Sequence, residues 1–130
     1  MTHEVKITKQ YETNDLVDLL STAMVGCAYW CSELDYKPDE YQEAKARLKE
    51  KGNNDICYEE VLVEMLESGK SLWFCDDEED EQYELTLEQL LNGIELNAEQ
   101  RPHDCDLENG DAITADCIIQ FALFNEVVFG

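Results

Sequence analysis

The chain has 130 residues, and its 31 Asp and Glu outnumber its nine Lys and Arg so strongly that the formal net charge at pH 7 is −22. A surface this acidic repels nucleic acid and anionic membranes and attracts basic proteins over long distances. The charge therefore excludes direct binding of nucleic acid or of a membrane surface. Hydrophobic residues make up 44% of the chain and only two residues are proline, which is typical of a folded domain rather than an acidic tail. We predict a single globular domain spanning 1–130.

No part of the sequence indicates a targeting or membrane-spanning segment. No stretch approaches the roughly 20 apolar residues that cross a bilayer, and the first ten residues, MTHEVKITKQ, lack the apolar run of a signal peptide. We therefore expect a cytoplasmic protein. Its six cysteines are then expected to be reduced thiols; they are Cys27, Cys31, Cys57, Cys75, Cys105 and Cys117.

Weak alternation in the first segment, Val5 to Tyr11, predicts an edge strand. A cap at Thr13 or Asn14 and apolar residues that recur every three or four positions predict a helix over 14–25. Its apolar stripe consists of Leu16, Leu19, Leu20, Ala23 and Met24. The short aromatic segment Cys27–Cys31 (CAYWC) is interpreted as a strand or an irregular buried segment.

A second helix is predicted to begin at Pro38, because the fixed φ of proline suits a first turn. Acidic residues lie at its start and basic residues at its end, an order that complements the helix dipole, and Gly52 ends it. It has few large apolar residues and is expected on the surface. A third, amphipathic helix closes near Gly69; its apolar residues are Tyr58, Val61, Leu62, Met65 and Leu66.

After the third helix, the spacing of the apolar residues changes from a helical pattern to alternation. Residues 71–75 (SLWFC) and 82–86 (QYELT) are rich in strand formers, and six consecutive acids separate them. We predict a hairpin near 71–86 with an acidic tip. A capping box of Thr86 and Gln89 begins a fourth helix, in which Gly93 costs roughly 1 kcal/mol relative to alanine.

The last predicted helix, over 113–125, is apolar almost all round and should be the central buried helix. Asp111 or Thr114 can cap it, and Val127–Phe129 is expected to add a short strand. Together these elements predict an α+β fold: one domain with about five helices packed on a small antiparallel sheet. The helices over 14–25 and 113–125 should supply much of the core.

The six acids at 76–81 are the most distinctive local feature. On a strand, side chains two residues apart share a face about 6.6 Å apart, and on a helix those four apart lie about 6 Å apart. Both distances resemble the spacing of phosphates on a nucleic-acid strand, so a row of carboxylates can imitate that backbone. For this run taken alone, a solvated loop that keeps the hairpin tip soluble is the favoured interpretation, and the acidity of the whole chain narrows the difference between the two. The predicted partner-binding residues are Asp76, Asp77, Glu78, Glu79, Asp80 and Glu81, with Glu59, Glu60, Glu64 and Glu67 as a second set.

An acidic loop before the last helix contains residue types that bind calcium. Asp104, Asp106 and Glu108 are spaced like the start of an EF-hand loop. However, the glycine falls at Gly110, one position late, and Ala115 stands at the twelfth position, where an acid is needed. We therefore predict no calcium site here.

The cysteines and histidines do not favour a metal centre or a catalytic site. Cys27 and Cys31 could form a four-ligand zinc site with His103 and Cys105, but the two cysteines flank aromatic residues and are better explained as small core residues. The other histidine is His3, and the sequence contains no nucleophile elbow, P-loop or dinucleotide-binding motif. We predict no catalytic residue, no metal and no cofactor.

Three segments resemble a group of small acidic proteins encoded by phages and prophages. They are 116–130 (DCIIQFALFNEVVFG), 83–88 (YELTLE) and 29–31 (YWC). The resemblance carries over no catalytic residue. It implies a phage context, in which small acidic proteins without recognisable motifs often inhibit host defence, as anti-CRISPR and anti-restriction proteins do.

We therefore predict a non-enzymatic inhibitor, acting in the host cytoplasm, that binds a basic nucleic-acid-handling protein through an acidic surface. A CRISPR effector or a restriction enzyme is the expected partner, and occupation of its nucleic-acid channel is the expected mechanism. One alternative is an interaction or assembly module, such as a homodimer, whose acidity only maintains solubility. An exposed aromatic patch would then form the contact, drawn from Tyr29, Trp30, Tyr36 and Tyr41. Another alternative is a metal-dependent enzyme.

Overall fold

The fold is an α+β domain of five α-helices and a three-stranded antiparallel sheet, in a computed structural model that describes residues 2–5, 8–107 and 110–130. The helices are α1 (Thr13–Gly26), α2 (Pro38–Glu50), α3 (Tyr58–Glu67), α4 (Leu87–Gln100) and α5 (Ala112–Phe124). The strands are β1 (Leu34–Asp35), β2 (Leu72–Cys75) and β3 (Gln82–Leu85), and a 3₁₀ turn covers Pro102–Asp104. The predicted fold class is confirmed, and α1 and α5 lie within one residue of their predicted bounds.

The N-termini of the last two helices are capped by side chains. The Thr86 hydroxyl accepts the backbone N–H of Gln89 at 3.3 Å, and the Gln89 side chain accepts the backbone N–H of Thr86 at 2.8 Å. At the start of α5, the Asp111 carboxylate accepts the backbone N–H of Thr114 at 3.0 Å. The predicted capping box is therefore confirmed, and of the two caps considered for α5, Asp111 occupies the N-cap position.

The N-terminal segment differs from its prediction. Val5 and residues 8–11 are not part of a strand, while Lys6 and Ile7 of the segment Val5–Tyr11 lie outside the described residues. Helix α1 begins after Glu12, whose backbone N–H donates to the Asp15 carboxylate at 2.8 Å. A longer acidic side chain thus takes the N-cap position that the sequence suggested for Thr13 or Asn14.

The sheet has the order β1–β2–β3, and β2 and β3 form the predicted hairpin. The register pairs Leu72 with Leu85 and Leu34 with Phe74. Because side chains alternate between the faces of a strand, Leu72, Phe74 and Leu85 point into the core and are buried, while Trp73 points to the opposite face. Strand β1 was not predicted, since two residues are too few to produce an alternating pattern.

Helix α5 is the central helix, as predicted, and its residues 114–122 are all buried. Helix α4 packs against it at Gly93, where an added Cβ atom would lie 2.6 Å from the carbonyl oxygen of Ile118 and 2.7 Å from the Cβ of Ala122. The close approach of the two helices explains why a residue with poor helix propensity occupies this position. Helix α1 contributes Leu16, Leu19, Leu20 and Ala23 to the core.

The C-terminal segment Val127–Phe129 is not a strand, contrary to the prediction. The backbone N–H groups of Val128 and Phe129 both donate to Oε1 of Gln120, each at 2.7 Å. The Phe129 ring stacks on Trp30 with a centroid distance of 4.6 Å. A buried side-chain amide on α5 thus satisfies the backbone groups that a neighbouring strand would otherwise have paired.

Candidate functional site

The six acids at the hairpin tip, 76–81, do not all face solvent. Asp76 is only 3% exposed. Its Oδ1 accepts the backbone N–H groups of Glu78 at 2.9 Å and Glu79 at 3.3 Å, and its own N–H donates to the carbonyl of Glu81 at 2.8 Å. Aspartate commonly shapes turns in this way. Asp76 therefore holds the conformation of the turn and is not part of the exposed acidic surface.

A second acid fastens the tip to the segment before β1. Oδ1 of Asp77 accepts the backbone N–H of Ser32 at 3.2 Å and its hydroxyl at 2.9 Å. The Asp77 N–H donates to the carbonyl of Trp30 at 3.0 Å, and Trp30 is buried. The tip is therefore held against the body of the domain. The other four acids are exposed, and we call them the tip acids: Glu78, Glu79, Asp80 and Glu81.

No basic side chain forms an ion pair with the tip acids in the described part of the chain. The sequence has no Lys or Arg between Ser71 and Gln100. The described ion pairs join Arg47 and Lys51 to Glu64, Lys70 to Glu40, and Arg101 to Asp104. No described ion pair therefore compensates the negative charge of the hairpin tip, and solvent ions screen it over about 8 Å at physiological salt.

The second predicted set of acids lies at the start and along the length of α3. Glu64 accepts from Nε of Arg47 at 3.0 Å and lies 3.7 Å from Nζ of Lys51, so two cations from α2 and its C-terminal end neutralise it. Two other acids accept side-chain hydrogen bonds, Glu60 from Asn53 at 3.0 Å and Glu67 from Thr13 at 2.8 Å. Glu59 is half-buried. These contacts join α3 to its neighbours, so this set contributes less free charge than the tip acids.

The outer face of the sheet adds a residue that the sequence prediction missed. Trp73 lies on this face and is partly exposed. The register places it between Asp35 on β1 and Glu84 on β3. A cation within about 6 Å of a tryptophan ring is attracted to its face, and the two flanking carboxylates attract the same cation. The alternation in 71–75 contained the signal, since it directs Trp73 away from the core when Leu72 and Phe74 point inward.

The aromatic residues considered for an exposed patch are mostly packed. Trp30 is buried, and Tyr36 and Tyr41 are half-buried and stack on each other with centroids 4.9 Å apart. Tyr29 is the exposed member of the four, at 57%. An aromatic anchor formed by the whole group is therefore not present on the surface.

A buried carboxylate joins the turn after α1 to the central helix. Asp116 accepts hydrogen bonds from the Tyr29 hydroxyl at 2.6 Å, the Trp30 indole N–H at 2.8 Å and the Gln120 amide at 2.9 Å. Burial and the hydrogen bond to Asp116 raise the pKa of the Tyr29 hydroxyl above its usual range. The segment Cys27–Cys31 is thus irregular and partly buried, and its role in this cluster is structural.

The described residues contain no group of three or more His, Cys, Asp or Glu placed to hold a metal ion. Burial raises the pKa of the Cys31 thiol to about 11 and that of Cys27 further, which opposes the thiolate form that metals bind. Asp104 forms an ion pair with Arg101 at 2.7 Å. Glu108, the third acid of the calcium-like pattern, lies outside the described residues.

A pocket between α1 and the sheet, lined in part by Cys31 and Phe74, has a volume of about 100 Å³, whereas small-molecule sites usually enclose about 300–1,000 Å³.

No helix in the described ranges combines the length and apolar character needed to cross a membrane. No protein-family model, curated protein or solved structure matches this chain.

Proposed function

We propose that this protein is a non-enzymatic inhibitor that binds a basic nucleic-acid-handling protein through an acidic surface. The surface consists of the tip acids and the outer face of the sheet around Trp73. By occupying a basic channel, it would exclude the DNA or RNA that the channel normally holds. The sequence resemblance favours a CRISPR effector or a restriction enzyme as the partner, encountered in the cytoplasm of a phage host.

The observation that carries this proposal is the uncompensated charge of a fixed hairpin tip. The contacts of Asp77 with Ser32 and Trp30 hold the tip in place, so the backbone that carries the tip acids is fixed against the domain. A preformed array loses less conformational entropy on binding than a mobile acidic loop does. A turn backbone held in this way therefore supports a specific contact more than a role in solubility alone.

Trp73 supports the same proposal from the neighbouring surface. Tryptophan is enriched among the residues that dominate protein interfaces. An arginine or lysine of a partner would find an aromatic ring and the carboxylates of Asp35 and Glu84 together. This combination suits a basic protein surface.

Charge reversal at the tip tests the proposal. The triple variant Glu78→Lys, Glu79→Lys, Glu81→Lys leaves Asp76 and Asp77 unchanged, so the contacts that shape the turn are kept. We expect it to compete with labelled DNA for a purified restriction enzyme or CRISPR effector at least about tenfold less well than the wild type, because close interfacial charge pairs contribute strongly to affinity. Circular dichroism would check that it is folded.

A matched variant separates local charge from total charge. Glu88, Glu95 and Glu99 are exposed on α4, and their reversal to lysine changes the net charge by the same amount. We expect this α4 variant to remain within about threefold of the wild type, since charges outside a contact act mainly on the association rate. Equal losses in the two variants, or inhibition unchanged between about 50 and 500 mM salt, would reject the proposed surface.

Two exposed apolar residues favour a second candidate function, that of an assembly module. Val25 and Ile113 are 72% and 63% exposed. Gly26 packs directly against the backbone of Ala112, so Val25 and Ile113 lie at the two helix ends that meet there, the end of α1 and the start of α5. Light scattering would decide: a dimer that Val25→Asp dissociates and the triple tip variant does not would favour assembly.

A further inference from the structure

We propose that the free edge of β3 receives an extended basic segment of the partner as a fourth strand of the sheet. This inference rests on the proposed function and specifies how the contact is made. Strand addition supplies affinity through backbone hydrogen bonds and specificity through alternate side chains. The occupant is thus a protein segment, rich in arginine or lysine, in β conformation.

The register determines which backbone groups of β3 are free. The N–H of Asp76 donates to the carbonyl of Glu81 at 2.8 Å, and the pairing continues through Phe74 with Tyr83. In an antiparallel pair, residues that bond across the ladder alternate with residues whose backbone groups point outward. The N–H and C=O groups of Gln82 and Glu84 therefore point away from β2.

This edge is open in the described part of the molecule. The sheet order ends at β3, and among the described residues no strand pairs with its other side. Gln82 and Glu84 are both exposed. Two N–H and two C=O groups thus form a row that an incoming strand can pair with, as exposed edge strands do.

The negative charge at the edge of β3 favours a basic segment as the strand that binds there. Natural proteins protect edge strands with proline, bulges or charged side chains. β3 contains no proline, and its charged residue is Glu84, three positions after the tip acid Glu81. A second copy of this chain would bring another net charge of −22 against these acids, so self-pairing is opposed. A basic strand would instead form cross-strand pairs of opposite charge.

The two faces of β3 define a sequence pattern for the segment. On the outer face, a basic side chain opposite Glu84 would extend toward Trp73. On the inner face, Tyr83 is half-buried and packs edge-on against Phe124 with a centroid distance of 4.7 Å, so an apolar neighbour fits there. Because strands alternate between faces, the expected segment alternates basic and apolar residues.

Amide hydrogen exchange of the full chain tests the inference with a defined probe. The probe is a ten-residue peptide of alternating arginine and valine, acetylated and amidated, and the control is the same peptide with every backbone amide N-methylated. We expect the probe to slow exchange at Gln82 and Glu84 about tenfold or more. The control peptide should bind about tenfold more weakly, because it cannot donate backbone hydrogen bonds.

Two substitutions at one position give an independent test. Glu84→Gln and Glu84→Pro both remove the charge, but only proline also removes the outward N–H and fills the space beside it. We expect probe affinity to fall a few-fold in the first variant and about twentyfold in the second. If Glu84→Pro does not fold, the exchange measurement on the wild type decides.

The outcomes separate this inference from the proposed function. If the probe and its methylated control bind equally well without protecting Gln82 and Glu84, charge recognition stands and strand addition is wrong. If neither peptide binds at low salt, the acidic surface does not recognise basic segments and the proposed function fails as well. Protection that rises with protein concentration and needs no peptide would identify a second copy as the occupant and overturn the inference.

Discussion

At the residue scale, the absence of a side chain at Gly93 sets the distance between α4 and the central helix. An alanine there would place its Cβ 2.6 Å from the carbonyl oxygen of Ile118, and this atom belongs to the backbone of a buried helix and cannot rotate away. The sequence alone indicates only a helix that contains one residue of low helix propensity. The reason for that residue depends on a neighbour 25 positions later in the chain, which no local pattern reveals.

We expect Gly93→Ala to lower the free energy of unfolding by about 1–3 kcal/mol, as overpacking usually does. This loss would occur although alanine normally favours a helix by about 1 kcal/mol over glycine. Urea denaturation followed by circular dichroism measures it. Glu95→Ala on the exposed side of α4 is the control and should change stability by less than about 0.5 kcal/mol. A Gly93→Ala protein as stable as the control would contradict the close contact.

Asp76 shows that residue type alone does not predict which acids of the hairpin tip are exposed. The six adjacent residues are all acidic, and the sequence analysis therefore predicted that all of them lie on the surface. Only the turn geometry distinguishes Asp76, whose carboxylate accepts two backbone N–H groups inside the turn. The negative charge of the tip was therefore predictable, whereas the division between acids that shape the turn and acids that face a partner was not.

At the scale of elements, periodicity and caps predicted all five helices and the hairpin. They failed for β1, which has two residues, for the described residues of the N-terminal segment Val5–Tyr11, and for the C-terminal segment, whose apolar pattern resembles a strand. That segment is instead held by Gln120, one of the buried polar residues of a largely apolar helix. A buried glutamine was the signal available in the sequence, since a buried amide requires partners.

The start of α5 gives a pH-dependent prediction. The hydrogen bond from the Thr114 N–H lowers the pKa of the Asp111 carboxyl below its usual value. The ionised cap therefore stabilises the folded state above the unfolded pKa of about 4, and this contribution disappears as pH falls through the lower, folded value. We expect the stability difference between wild type and Asp111→Ala to be constant from pH 8 to 6 and to shrink below about pH 4. Denaturation curves at several pH values measure it, and a difference that grows on acidification would contradict the cap.

At the scale of the whole molecule, the main feature is the excess of negative charge. Nine basic residues cannot neutralise 31 acids, and two of them, Arg47 on α2 and Lys51 just after it, pair with the same acid. Composition alone gave the magnitude of this imbalance. It could not give its distribution, because the pairing of Arg47 with Glu64 depends on how α2 and α3 pack.

We expect added salt to stabilise the folded protein. Self-repulsion among excess acids opposes the compact state, and counter-ions screen it. The thermal midpoint should rise between about 50 and 500 mM sodium chloride. Choline chloride at equal ionic strength should give the same rise, which separates screening from binding of a particular cation. A midpoint that falls with salt would mean that attractive ion pairs outweigh the repulsion.

The open edge of β3 has a consequence for handling the protein. Its protection is electrostatic, and near the isoelectric pH of about 4.1 the molecules no longer repel one another. Backbone groups of Gln82 and Glu84 from separate molecules could then pair, and ordered aggregates would grow from this strand. Purification by acid precipitation would thus favour fibrils, while neutral buffers keep the same edge accessible to a basic ligand.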